Sequence, residues 1–316
     1  KELGLKTSQI LDASASIVPF SPPKPLLNCL TRTLNSTNIR NYPDRAHFSL
    51  KESIASWHNL DPDMVLPGNG AAELITWSAK SAAMIGLNGL LAPCFSDYER
   101  ALRCWRGNFI HIPMKLQWNN EKTQAFPIKT NTQVIWITNP HNPTGQLWSQ
   151  DSLIPLLDQH NLVICDEAFL PLVPDGERHS LIPLTIHYKN LIVIRSLTKL
   201  FSLAGLRIGY AISSAERLRE WQDWRDPWPV NSLAIAAGIM LMNNKEMTSK
   251  WIKNIHKWIK KEGAWLQSNL NTLQGITSHP SSTNFHLIEG KQSLSSLRDK
   301  LAKKKILLRD CRSFNN

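Results

Sequence analysis

The 316-residue chain has only five cysteines, Cys29, Cys94, Cys104, Cys165 and Cys311, and no two of them form a CxxC pair. An odd, scattered set argues against a disulfide framework and against a zinc site. It suits a reducing compartment, so a cytoplasmic location is expected. No apolar run approaches the roughly 18 to 20 residues that cross a bilayer, and no secretory signal stands at the front, so no membrane association is expected. Internal repeats and low-complexity tracts are absent. Acidic residues are in short supply, 25 against 36 basic ones, giving a formal charge of +11. Such a charge admits a nucleic-acid partner, but the basic residues are scattered. The one cluster, Lys303-Lys304-Lys305, ends a helical pattern, where cations suit the helix dipole. A basic surface that attracts small anions is the expectation, with no nucleic acid involved. The chain opens at Lys1 rather than Met, and its natural start is expected further upstream.

What is present is a chain that is 42% hydrophobic, enough for one large domain and one small one. Short apolar runs at Leu90–Ala92, Val134–Thr138, Leu162–Cys165, Leu191–Arg195 and Ile208–Ile212 alternate with amphipathic stretches such as Ser96–Arg106 and Ser149–Gln159. This alternation predicts an α/β fold with a mostly parallel sheet flanked by helices. Sites in such sheets lie at the carboxyl ends of strands. Polar residues gather there: Thr138-Asn139, Asp166-Glu167 and Ser196. After Ser214 the pattern changes to a helix at Ala215–Trp224 and one or two long helices over Ser232–Leu270. A strand (Phe285–Ile288), a helix (Ser293–Lys304) and a strand (Ile306–Leu308) follow. The expected division is an N-terminal segment (1–30), a large α/β domain (31–213) and a smaller α+β domain (214–316) whose C-terminus is expected to be incomplete.

Four motifs carry chemistry. Ser196-Leu197-Thr198-Lys199 follows an apolar strand, with Arg207 eight residues beyond the lysine in Ala204-Gly205-Leu206-Arg207-Ile208-Gly209. A sheltered strand-end lysine can lose its proton and attack an aldehyde. Two hydroxyls and a guanidinium fork suit a phosphate monoester. By itself such a lysine reads more often as a solvated side chain, and the neighbouring motifs reverse that reading. In Val163-Ile164-Cys165-Asp166-Glu167-Ala168-Phe169 a strand delivers a carboxylate to its end, either to sit beside a cofactor's ring nitrogen or to cap the next helix. Thr138-Asn139-Pro140-His141-Asn142-Pro143-Thr144-Gly145 is a loop stiffened by proline, with Asn142 as a spare amide donor. Pro67-Gly68-Asn69-Gly70-Ala71-Ala72-Glu73 opens a helix predicted over Ala72–Ile85, with backbone N–H groups free for a phosphate; by itself it reads equally as a turn.

In order, GNGAAE, PCFSDY, NPHNPTG, CDEAF, SLTK and AGLRIG resemble the fold type I, class I/II aminotransferase superfamily over about Asp12 to Arg309. Its histidinol-phosphate aminotransferase branch and the threonine-phosphate decarboxylase branch of cobalamin biosynthesis are the most similar. The resemblance implies pyridoxal 5'-phosphate as cofactor, no metal, and a homodimer with shared active sites. Lys199 would carry the cofactor as a Schiff base and move protons at Cα. Asp166 would pair with the pyridine nitrogen, and Asn142 would bind the phenolic oxygen and border the substrate. Phe95 would stack on the ring. Gly70, Ala71, Ala72, Ser196, Thr198 and Arg207 would hold the phosphate, with Tyr42 reaching it from the partner subunit.

Three segments resemble the decarboxylase branch: Leu11–Pro19, although Ser16 and Val18 stand where it has asparagines, Asp226–Ala234, and Leu308–Phe314. Phe169 stands where many aminotransferases have a tyrosine. Arg309 would contact the substrate, a small phosphorylated amine or amino acid, unless it forms a surface ion pair with Asp310. The branch's substrate histidine and second substrate arginine would fall upstream of Lys1 and beyond Asn316. Transamination of histidinol phosphate, or another class I/II aminotransferase activity, is the alternative. A DNA-binding regulator built on the same fold would need a helix-turn-helix module, for which no segment is left. A non-catalytic scaffold would not need the lysine, aspartate and phosphate set.

Overall fold

The computed structural model describes residues 9–36, 39–114, 118 and 125–314. In chain order its strands and helices are β1 (Leu11–Ala13), α1 (Lys24–Leu34), α2 (Phe48–His58), β2 (Val65–Asn69), α3 (Ala71–Ile85), β3 (Asn88–Ala92), α4 (Asp97–Cys104), β4 (Phe109–Pro113), β5 (Val134–Thr138), α5 (Gln150–Gln159), β6 (Leu162–Asp166), β7 (Leu191–Ser196), β8 (Ile208–Ile212), α6 (Ala215–Trp224), α7 (Ser232–Asn243), α8 (Lys245–Leu270), β9 (Ile276–Ser278), β10 (Ile288–Gly290), α9 (Ser295–Lys303) and β11 (Ile306–Leu308).

Seven strands form one sheet in the order β2-β8-β7-β6-β5-β3-β4. Strand β8 is antiparallel to both neighbours and every other adjacent pair is parallel. The parallel arrangement follows from the sequences VIWIT, LVICD and LIVIRS, which are buried at every position. A strand covered on both faces needs apolar side chains on both. Successive residues then supply two cores. Ile135, Ile137, Val163, Cys165 and Val193 pack with residues of α2, α5, α7 and α8 on one face. Val134, Trp136, Leu162, Ile164, Ile192 and Ile194 pack with α3, α4 and α6 on the other.

Side chains mark where helices begin. The Ser149 hydroxyl accepts from Ser152 N at the start of α5, and Asn231 accepts from Ala234 N at the start of α7. The predicted run over Ser232–Leu270 divides into two helices because Asn244 caps α8, accepting from Met247 N. Two short sheets complete the chain. Strand β1 pairs in parallel with β11, Ala13 opposite Leu308, and β9 pairs antiparallel with β10. The strand expected at Phe285–Ile288 is displaced to β10, and its first residue instead turns its ring edge-on to Phe169, 5.1 Å between centroids. Strands β1, β2, β4 and β9 and helices α1 and α2 were not anticipated.

Candidate active site

The connection β3–β4 runs outward in one direction along the sheet and β5–β6–β7 in the other, so the strand order reverses between β3 and β5. Ligands of open α/β sheets bind at the carboxyl ends beside such a reversal. The segments that leave the sheet there are Pro93–Tyr98 after β3, Asn139–Gly145 after β5, Asp166–Phe169 after β6 and Ser196–Lys199 after β7.

At the end of β7 the Ser196 and Thr198 hydroxyls lie 2.7 Å apart, and the Lys199 amine donates to Ser196 Oγ at 3.3 Å. Two glycines bring the start of α3 to the same place. Gly70, with φ of +76°, caps α3, and a Cβ there would stand 2.5 Å from Arg207 Nη2. A Cβ on Gly209 would meet Arg195 O at 2.7 Å and Ala71 N at 2.9 Å. Only glycine permits either approach. Arg207 itself adopts a left-handed conformation, φ 56°, which turns its side chain back over Gly70. The result is a cradle of the first N–H groups of α3 at Ala71 and Ala72, two hydroxyls and a guanidinium. The loop is locked from behind: Glu73 accepts from Asn69 N at 2.6 Å and from Trp77 Nε1 at 3.0 Å, and Arg225 donates to Pro67 O at 2.7 Å. Burial lowers the Lys199 ammonium from its ordinary range, and the Arg207 charge adds to this, while Asp166 opposes it.

Asp166 is buried at the tip of β6. Its Oδ1 accepts from Ala168 N at 2.9 Å and its Oδ2 from the Tyr98 hydroxyl at 2.8 Å. Burial pushes its carboxyl up, and the Ala168 N–H, the Tyr98 hydroxyl and the Lys199 charge pull it back. Tyr98 also meets Thr138 Oγ1 at 2.8 Å and turns its ring edge toward Phe95, 5.6 Å between centroids. Tyr98 thus ties α4, β5 and β6 together at the site. Sequence reasoning used this segment for Phe95 alone. The available signal was a tyrosine three residues after Phe95 at a helix start, which reads equally as core.

In the loop after β5 it is Asn139, not Asn142, that does the bracing, exchanging hydrogen bonds with Trp148 N (3.0 Å) and O (3.1 Å). His141 is buried on Thr144 Oγ1 at 2.8 Å, and burial pulls its imidazole down to about 3. The half-buried Asn142 makes no hydrogen bond among the described residues, leaving its amide for a ligand. The Lys199 amine lies 5.6 Å from the centre of the Phe169 ring.

Two expected residues stand apart from the cradle. Tyr42 is 80% exposed and lies on Trp228, 4.5 Å between centroids. Arg309 is exposed, with its guanidinium 5.5 Å from the Phe314 ring. It does not pair with Asp310, which is taken up by Arg298 and Arg312. Two connections lead from Arg309 to the site. Phe314 O accepts from Cys94 N at 3.2 Å, next to Phe95. Strand β1, paired with β11, runs on to Val18, whose N–H donates to Lys199 O at 3.3 Å.

Pyridoxal phosphate fits this arrangement. The cradle that a Cβ at Gly70 would fill offers only donors, as a phosphate requires. A buried carboxylate and an amine with a lowered proton affinity stand beyond it.

Comparisons with known proteins agree. The family model described as aminotransferase class I and II matches residues 7–316. A putative threonine-phosphate decarboxylase from Caldanaerobacter subterraneus is 29% identical over 95% of this chain and 81% of its own length. Histidinol-phosphate aminotransferase 1 from Mannheimia succiniciproducens is 32% identical over 98% and 83%. The crystal structure of the histidinol-phosphate aminotransferase from Clostridium acetobutylicum superposes with a TM-score of 0.84 at 27% identity, covering 96% of this chain and 90% of that one. This chain therefore belongs to the aminotransferase class I and II family of enzymes, whose cofactor is pyridoxal 5'-phosphate.

Proposed function

We propose that the enzyme decarboxylates a small phosphorylated amino acid, threonine phosphate fitting best, as a homodimer with shared sites. The observation that carries this reading is Arg309, a guanidinium with no carboxylate partner among the described residues, just after a strand linked by β1 to Lys199. The absence of a hydroxyl at Phe169, whose ring packs on Phe285, supports it, as does the +11 charge, which attracts a doubly anionic substrate.

The cofactor, when bound, supplies an electron sink for the pair left on Cα when a bond to that atom breaks. Ser196, Thr198, Arg207 and the N–H groups of Ala71 and Ala72 hold its phosphate, and Asn142 its phenolic oxygen. Asp166, kept an acceptor by Tyr98 and Ala168, holds the proton on the ring nitrogen. Phe95 covers the ring. Lys199, with its lowered proton affinity, more readily gives up the proton that covalent attachment of the cofactor requires it to lose. Arg309 would grip the substrate phosphate and so leave the substrate carboxylate unpaired and free to depart. Loss of carbon dioxide from the substrate would leave an electron pair on Cα, and Lys199 would return a proton to that atom.

The test is to incubate the loaded enzyme with threonine phosphate and, separately, with histidinol phosphate and 2-oxoglutarate. Release of carbon dioxide with formation of the phosphate ester of 1-aminopropan-2-ol is expected. Arg309→Ala should raise KM about tenfold or more, the loss of one charged contact of roughly 1.5–3 kcal/mol. Glutamate formation from the second mixture, with no carbon dioxide from the first, overturns the reading in favour of transamination.

A further inference from the structure

Beside the cofactor site the fold gathers three metal-ligating side chains from three elements. Cys94 follows β3, Glu99 lies on α4, and His111 lies on β4, paired in register with Leu90 of β3. The Cys94 Sγ, a Glu99 carboxylate oxygen and a His111 ring nitrogen all lie within 4.8 Å of one another. His111 Nε2 is already 2.9 Å from Glu99 Oε1. The other carboxylate oxygen, Oε2, stands 3.3 Å from Arg103 Nη2. Cys94 is 4% exposed and Glu99 6%. The thiol makes no hydrogen bond among the described residues, while its own backbone N–H is fixed on Phe314 O at 3.2 Å.

We propose that Cys94, Glu99 and His111 bind one zinc ion, with solvent as the fourth ligand. Zinc takes thiolate, imidazole and carboxylate in tetrahedral geometry at about 2.0–2.3 Å, so its ligand atoms stand about 3.3–3.6 Å apart. The thiol needs to draw in by only about 1 Å to reach that spacing, while His111 Nε2 and Glu99 Oε1 spread slightly from 2.9 Å. A thiolate and a carboxylate together neutralise the dication. The sulfur selects zinc over magnesium or calcium, which take oxygen ligands. Access comes from the half-exposed His111 and from the surface groove lined by Ser96, Glu99, Arg100, Arg103 and Cys104, which opens onto the same carboxylate. Bound zinc would brace residues 94–99 from both ends, and Phe95 and Tyr98 lie between those ends.

Full-chain protein loaded with pyridoxal phosphate is titrated with zinc by calorimetry and with cobalt(II) by visible spectroscopy. Cobalt gives intense tetrahedral d–d bands, well to the red of the cofactor absorption. One ion per chain is expected, with His111→Ala weakening binding about tenfold or more and Cys94→Ser abolishing the tetrahedral bands. Cys104→Ser, a cysteine on the nearby groove, should bind like the parent. His111 lies on the surface, so its variant reports even if Cys94→Ser does not fold. Equal zinc affinity in His111→Ala and the parent, or loss of binding only in Cys104→Ser, overturns the proposal.

Discussion

At the scale of single residues, Tyr98 has the largest consequence that sequence alone did not reveal. Its hydroxyl donates to Asp166 Oδ2 at 2.8 Å and lowers that carboxyl against the effect of burial. Tyr98→Phe keeps the ring and its packing on Trp136, 5.2 Å between centroids, and removes only the donor. Without it Asp166 takes up a proton more readily and so pairs less well with a protonated ring nitrogen. A hydrogen bond to a charged group contributes roughly 1.5–3 kcal/mol. The dissociation constant for pyridoxal phosphate, measured by absorbance titration of the apoenzyme, should therefore rise about tenfold or more. The acid limb of the pH–rate profile should move to higher pH. If both stay unchanged in Tyr98→Phe, Asp166 does not depend on Tyr98. Arg309 shows the same limit of sequence reading in reverse. The adjacent Asp310 left a local ion pair open as the alternative to a substrate contact, but Asp310 faces Arg298 and Arg312.

At the scale of elements, the buried parallel strands β5, β6 and β7 were legible because each is a continuous apolar run ending in a polar residue. Strands β5 and β8 match their expected bounds, and β6 and β7 extend one residue further, to Asp166 and Ser196. Those added residues lie at the functional end, where polarity ends the apolar pattern before the ladder ends. Strand β2 was not anticipated because Pro67 and Gly68 interrupt it, and both read as turn residues. It forms because it lies at the sheet edge beside β8, where a missing N–H costs little. Strand β4 alternates weakly, and β1 and β9 have three residues each, too few for a period to show. The motifs located most of the side chains that gather at the strand ends. The cooperation of Gly70, Gly209 and Arg207 was not legible, because it depends on how closely α3 approaches β7 and β8. The scattered cysteines argue against a zinc site, but spacing along the chain says nothing of how the fold brings Cys94 within 4.8 Å of Glu99 and His111.

At the scale of the whole molecule, burial sets the response to acid. It pulls His47 down to about 4, and His58 and His141 down to about 3. Each imidazole binds its proton less readily in the folded chain than in the unfolded one, where the ordinary value is near 6.5. Their contribution is complete above that value and is lost as the pH falls toward the folded values, at about 1.4 kcal/mol per unit per group. Asp166 and Glu167, pushed up by burial, act in the opposite sense, gaining stability as the pH falls from their folded values toward the range near 4 where unfolded carboxylates titrate. Between pH 6.5 and 5 the three histidines together should remove about 5 kcal/mol out of a typical 5–15, offset in part by the two carboxylates. Urea midpoints of the apoenzyme should fall steeply over that interval, with His47→Gln flattening the slope. A flat profile would show that these imidazoles become protonated without unfolding.

The proposed dimer makes the second prediction at this scale. Tyr42 and Trp228 stack on each other while 80% and 38% exposed, and Arg45 lies over the same indole at 5.7 Å. Aromatic rings with a flanking arginine, left open to water, have the composition of an interface core. The segment is not isolated from the chemistry, because Asn231, three residues after Trp228, donates to Leu206 O at 3.0 Å, next to Arg207. A second subunit docked on this patch would thus place its Tyr42 toward the phosphate cradle of the first. The pairing is reciprocal, as two-fold symmetry requires. Tyr42→Phe and Lys199→Ala subunits, each nearly inactive alone, should then complement. A hybrid holds one site with an intact lysine and the partner subunit's intact tyrosine, and one site lacking both. With statistical mixing half the dimers are hybrids, so the mixture should recover about a quarter of wild-type activity. If Tyr42 serves its own chain, no site in the mixture holds both groups, and activity stays at the sum of the two parents.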